Sequence, residues 1–202
     1  MGSKGDRNRE QTLQTAGALI YQRGYGQTSF ADIARSSGIP KGNFYYYYKV
    51  KDDILRDVLA RLLENVRRDL SQWEASEPTP KARLKRFVRM VRNNAEDLSR
   101  YGCPMGSIAT EIGKDNGDLK QHTRAMFDLY RDWLAVQFAR AFPEPLARDH
   151  ARHLLVADLT YRVTASLAAP LAVPARAIMA LALVVSIRVV DRTVMPFMVG
   201  HP

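Results

Sequence analysis

Between Lys41 and Lys51 the chain reads KGNFYYYYKVK, which brings three lysines, an asparagine and four consecutive tyrosines into eleven residues. These groups hydrogen-bond; they form no nucleophile and base pair and no metal-ligand cluster. The carboxamide of Asn43 matches an adenine edge, the ammonium of Lys41 suits guanine or phosphate, and Gly42 has no side chain to hold a backbone away from a duplex. Tyr45, Tyr46, Tyr47, Lys49 and Lys51 offer hydroxyls and ammoniums to phosphate oxygens, contacts that fix register without reading sequence. Five consecutive aromatics, Phe44 to Tyr48, cannot all face one way at 100° per residue. Phe44 and Tyr48, spaced i and i+4, are the expected core members, and packing is the alternative role of each tyrosine.

The elements around this segment determine whether it can be presented. Thr28 and Ser29 are both good N-caps, and Asp32 lies three residues after Ser29 as in a capping box. Phe30, Ile33 and Ala34 then share one apolar side, Gly38 ends the helix, and Ile39 is the expected buried plug of the turn. Pro40 suits the first turn of a second helix, where its missing N–H has no intrahelical partner. Two short helices meeting at a glycine form a helix-turn-helix, whose second helix enters the major groove with its first turn, here Lys41, Gly42 and Asn43. Thr28 and Ser29 join these as DNA-facing candidates. A preceding helix, about Arg7 to Arg23, places Leu13, Ala16, Gly17 and Ile20 on one stripe and ends at Gly24.

From Lys51 the positions Ile54, Leu55, Val58, Leu59, Leu62, Val66, Leu70 and Trp73 keep helical spacing, which predicts one long helix. SEPTP, residues 76–80, interrupts it, and a helix from Lys81 to about Leu98 follows. SRYGCPM, residues 99–105, is the next interruption. A short helix through Ile108 and Ile112, a turn at Asp115 to Gly117, and a long helix from Leu119 to Phe142 come after it, the last stopped by Pro143 and Pro145. Two helices, about Leu146 to Ala169 and Pro174 to Val194, bring the total near nine. No strand pattern or repeat occurs, so the expected class is all-α, with residues 1–50 as a DNA-binding domain and 51–202 as a helical effector-binding and dimerisation domain. The last two helices are apolar on more than one face, which calls for a covering surface; a central place in the monomer is the alternative.

Charge agrees with an anionic partner. The formal net charge is +9, and residues 1–51 carry eight basic side chains against three acidic ones. A phosphate-binding face concentrates charge in this way. The polar start, MGSKGDRNRE, has no apolar segment behind it, and the single cysteine excludes an intrachain disulfide, so a cytoplasmic location is expected. The longest apolar stretch, around Ala177 to Val190, is too short to span a bilayer of about 30 Å. His150 and His153 sit at i and i+3 without an evident third ligand. No cofactor, no metal site and no enzymatic activity are expected.

The segment GYGQTSFADIARSSGIPKGNFYYYYKVKDDIL resembles the DNA-binding domain of TetR/AcrR-type bacterial transcriptional regulators, with landmarks in register from about Arg7 through Leu55. Tyr47 stands where a histidine is frequent in that family, and Tyr48 where a phenylalanine is frequent. The resemblance implies an all-helical homodimer on a palindromic operator, joined through a four-helix bundle of the C-terminal helices and released by a small molecule. Residues from Gly102 through about Trp133 are similar to the branch of the N-ethylmaleimide-responsive repressor, in which a cysteine after glycine senses electrophiles. Cys103 accordingly has two readings, a reactive thiol ahead of a helix N-terminus or a small buried hydrophobe. Phe87, Met90, Cys103, Met105, Phe127, Tyr130 and Trp133 are the effector-binding candidates. Their apolar and aromatic character suits a lipophilic ligand, and each has ordinary core packing as its alternative.

Overall fold

The computed structural model describes residues 4–112 and 117–155. Its elements are α1 (Lys4–Arg23), α2 (Phe30–Ser37), α3 (Lys41–Tyr47), α4 (Lys51–Ser76), α5 (Pro80–Asn93), α6 (Ala95–Tyr101), α7 (Pro104–Glu111) and α8 (Gly117–Phe138). A further helix, α9, covers residues 144–155. The fold is all-α, as the periodicity predicts. The helix expected over Pro174 to Val194, the apolar stretch within it and the turn at Asp115 lie outside the described residues.

Local chemistry sets the helix ends. Ser29 caps α2 by accepting the Asp32 N–H at 3.2 Å, while the Asp32 carboxylate accepts the Ser29 N–H at 3.0 Å. A cap of this kind contributes about 1 kcal/mol. Gly38 then turns the chain out of α2 at φ 68°, a left-handed conformation that glycine adopts without steric cost. At the start of α4, Asp53 accepts the N–H groups of Lys49 and Val50 at 3.2 and 3.3 Å. Those bonds, that from Val50 above all, hold its carboxyl below the usual range. The C-terminus of α4 is closed by Arg83, whose guanidinium donates to the carbonyls of Glu74 and Glu77 at 3.1 and 3.0 Å, satisfying acceptors that a helix end leaves without partners.

Three helix boundaries differ from those expected. The single helix from Lys81 to Leu98 is two, because Asn94 leaves helical geometry and its amide donates to the Met90 carbonyl at 2.8 Å; asparagine competes with the helical ladder in this way. The break expected over residues 99–105 shrinks to Gly102 and Cys103, since α6 runs on to Tyr101. Helix α8 stops at Phe138, ahead of the prolines, and Pro145 lies in the first turn of α9, where a missing N–H is harmless.

Packing divides the chain into two compact units, one of Met1–Val66 with Pro104–Met126, the other of Arg67–Cys103 with the residues from Phe127 onward. The expected boundary after residue 50 follows the end of the helix-turn-helix, whereas the packing division follows two cores in the first unit. Leu13, Ala16, Leu19, Ile33, Ile39, Phe44, Tyr48, Ile54 and Val58 form one of them. Ile20, Leu55, Leu59, Ile108, Ile112, Leu119 and Met126 form the other. Helices α1 and α4 thus bury residues on both sides, against α2 and α3 on one and against α7 and the start of α8 on the other. In the second unit Trp73 meets Trp133 edge-on at 5.8 Å, and Phe87 meets Tyr130 at 5.6 Å.

Candidate nucleic-acid interface

Helix α3 rests on the first core through Phe44, which is 1% exposed, while Tyr46, two residues along, is 81% exposed. A turn of 100° per residue accounts for the alternation, and Lys41, Gly42, Asn43, Tyr45 and Tyr46 share the outward side. A Cβ added at Gly42 would meet nothing within 4 Å, so the backbone there is open to close approach. The exposed rings are held in place. Tyr45 packs against Phe30 at 5.5 Å with the Lys41 ammonium 5.9 Å from its centroid, and Tyr46 meets Tyr47 edge-on at 4.9 Å. Such fixing lowers the entropy lost when the hydroxyls are used for recognition. Lys49 donates to the Tyr45 carbonyl at 2.7 Å, a cation at the C-terminal end of α3 that the helix dipole favours.

Of the remaining sequence candidates Thr28 faces inward, Tyr47 and Lys51 are half-buried, and Ser29 is exposed but occupied as a cap. Thr28 is buried, and its hydroxyl donates to the Gly24 carbonyl at 2.8 Å. The Ser29 hydroxyl is engaged with Asp32. Tyr47 is half-buried against the first core. Lys51 donates to the Tyr25 carbonyl at 2.8 Å and lies 4.1 Å from the centre of that ring. The Tyr25 hydroxyl in turn donates to Asp52, and burial, reinforced by this carboxylate, pushes the phenol upward from its ordinary value.

Sequence reading passed over the partners of Tyr48. Its buried hydroxyl donates to Asp57 at 2.9 Å and accepts from Arg9 at 3.3 Å, and Arg9 also pairs with Asp57 at 2.6 Å. This cluster ties α1 and α4 to the end of α3. The signal was the hydroxyl itself, because a buried tyrosine needs a hydrogen-bond partner that a phenylalanine does not. Burial, with the Asp57 contact adding to it, pushes the Tyr48 phenol up to about 12. A raised acid keeps its full stabilising effect below the unfolded pKa of about 10 and loses it as pH rises towards 12. Tyr48→Phe is therefore expected to cost about 0.5–1.5 kcal/mol at neutral pH and to lessen the loss of stability between pH 10 and 12. Urea unfolding of both proteins across that range checks it.

The effector candidates fall in both units. Met105 packs against the second core of the first unit. Phe87, Met90, Cys103, Phe127, Tyr130 and Trp133 belong to the second. Phe87, Cys103 and Trp133 are buried, and the Trp133 indole N–H donates to Glu74 at 3.0 Å. An open groove in the second unit lies elsewhere, between α8 and α9, lined by Arg131, Val136, Ala139 and Arg148 among others. His150 packs against the rings of Phe142 and Phe138 at 4.6 and 5.5 Å, and burial lowers its pKa. Among the described residues no cluster of His, Cys, Asp and Glu could hold a metal ion, and no helix is long and apolar enough to cross a membrane.

A capped α2, a left-handed glycine and an α3 anchored by Phe44 with its first turn exposed define a helix-turn-helix DNA-binding protein. Residues 13–58 match the family model described as bacterial regulatory proteins, tetR family, so the chain carries a DNA-binding domain of that family. The transcriptional regulator AcuR of Cereibacter sphaeroides is 30% identical over 113 residues, 52% of this chain and 48% of its own. The HTH-type transcriptional repressor NemR of Escherichia coli is 22% identical over 121 residues, 59% of each chain. A TetR transcriptional regulator from Legionella pneumophila matches in structure with a TM-score of 0.77 at 18% identity, covering 96% of this chain and 98% of that one. The chain spans 62%, 80% and 48% of the length of the first three curated relatives.

Proposed function

We propose that the protein is a ligand-responsive transcriptional repressor that binds a palindromic operator as a homodimer in the cytoplasm. The observation that carries this reading is the outward side of α3, where Lys41, Gly42, Asn43, Tyr45 and Tyr46 stand exposed on a helix held from beneath by Phe44. Asn43 reads a base edge, Lys41 contacts guanine or phosphate, and Tyr45, Tyr46 and Lys49 contact phosphates. Thr28 and Ser29 then serve by holding α2 in place. Lys51 and Tyr47 reach phosphate only if they give up part of their present packing.

The effector is a small lipophilic, aromatic or electrophilic molecule held among Phe87, Met90, Cys103, Phe127, Tyr130 and Trp133 of the second unit, and Met105, packed in the first unit, is left out of this site. It releases DNA by binding more tightly to the dimer state that cannot span both half-sites, a coupling of about 1–3 kcal/mol. Because Cys103 is only 4% exposed, an electrophile reaches its thiol after a local opening.

The test is selection of duplexes by the full-length protein from a randomised pool, with sedimentation of the protein and of its complex. A dimer on an inverted repeat, with half-site centres about 34–36 Å apart or a multiple of that, is expected. A monomer that binds the selected duplex as tightly as a dimer, or a selection that yields no inverted repeat, overturns the reading.

A further inference from the structure

We infer that Glu111 is a positioning residue for the DNA-reading helices, acting as a strut from α7 onto the loop between α1 and α2. This inference rests on the operator-reading role proposed for α3. The Glu111 carboxylate accepts the Gly26 N–H at 2.9 Å across 85 residues of sequence. It also lies over Gly24, where an added Cβ would stand 2.8 and 2.9 Å from its two carboxylate oxygens. Gly24 has φ 92° and no side chain, so the backbone is bare where the carboxylate meets it.

The placement runs against local preference. Glu111 is the last residue of α7, where the negative end of the helix dipole disfavours an anion. A residue that breaks a local rule needs a compensating contact, and here the compensation is an N–H of the reader loop. The base of the strut is firm, because Ile108 and Ile112 on either side are buried in the second core with Ile20, Leu55 and Leu59.

What the strut holds leads directly to α3. Next to Gly26, the Tyr25 carbonyl accepts from Thr28 N–H at 3.3 Å and from the Lys51 ammonium at 2.8 Å, and the Gly24 carbonyl accepts the Thr28 hydroxyl. The following residue, Ser29, is the N-cap of α2, and α2 carries the turn that sets α3. The loop is thus held from α4 by Lys51 and from α7 by Glu111. Lys51 precedes Asp52 and Asp53 on the helix that follows the reader directly, whereas Glu111 is the contact that reports the position of α7.

Two variants of the full-length protein test this, Glu111→Ala and Glu111→Gln, with two readouts. Hydrogen exchange of the Gly26 amide in the free protein should quicken about tenfold in Glu111→Ala, a loss of one hydrogen bond to a charged group. Affinity for the duplex that the wild type selects should fall about tenfold, with affinity for random duplex unchanged, and Glu111→Gln, which keeps an acceptor, should restore most of both. A merely structural residue would lower selected and random binding together. Unchanged exchange in Glu111→Ala, unchanged selectivity, or a glutamine variant as impaired as the alanine overturns the inference. If the wild type selects no duplex, the operator-reading role has failed, and the Gly26 exchange still decides whether Glu111 holds the loop.

Discussion

Phe44→Ala is expected to lower stability by about 3–5 kcal/mol, while Tyr46→Ala, two residues away, changes it by less than about 0.5 kcal/mol. Phe44 is 1% exposed and belongs to the core that joins α1, α2 and α4 beneath α3, so its removal leaves a cavity that four helices would have to close. A domain of ordinary stability, about 5–15 kcal/mol, has little to spare against such a loss. Tyr46 is 81% exposed and leaves no cavity. Its loss should be seen in DNA affinity. Urea titration by circular dichroism checks the pair, and equal midpoints for the two variants would mean that α3 does not rest on Phe44.

The second large effect is expected at Asn43. Asn43→Ala should weaken binding to the selected operator by about 1–3 kcal/mol and leave random duplex unaffected, whereas Lys41→Ala, if its contact is to phosphate, should weaken both and lower the salt slope by about 1. The difference comes from what each group touches: a carboxamide gains its bonds at one base edge, and an ammonium exchanges counterions along any backbone. Binding isotherms at several salt concentrations, on operator and on random duplex, separate the two. Equal losses on both duplexes for Asn43→Ala would remove the base contact from the reading.

The parts of the fold legible in the sequence were those governed by neighbours in the chain. The capping box at Ser29 and Asp32, the stop at Gly38, the buried pair Phe44 and Tyr48 and the start of α4 at Lys51 all depend on spacings of a few residues, and each is found. The break at Asn94 was not legible, because an asparagine between Asn93 and Ala95 looks like any polar position until its amide turns back to Met90. The clasp on the α1–α2 loop was hidden for another reason. Its members, Tyr25, Lys51, Asp52 and Glu111, are separated by up to 86 residues, and no local pattern links a glutamate at the end of one helix to a glycine between two others. Lys51 shows the limit most clearly: its type and place suit a phosphate contact, while its geometry gives the ammonium to Tyr25.

Helices α1 and α4 bury side chains on two sides, and adjacent residues on α4 serve different cores: Ile54 and Val58 the one under α3, Leu55 and Leu59 the one with α7. The outward residues of α3 can therefore be exchanged without disturbing the contacts of α7, and α7 can be altered without repacking α3. The two shared helices have no such latitude. Descendants of this chain would diverge on the outward side of α3 and on α7, while the two helices between them stay nearly fixed.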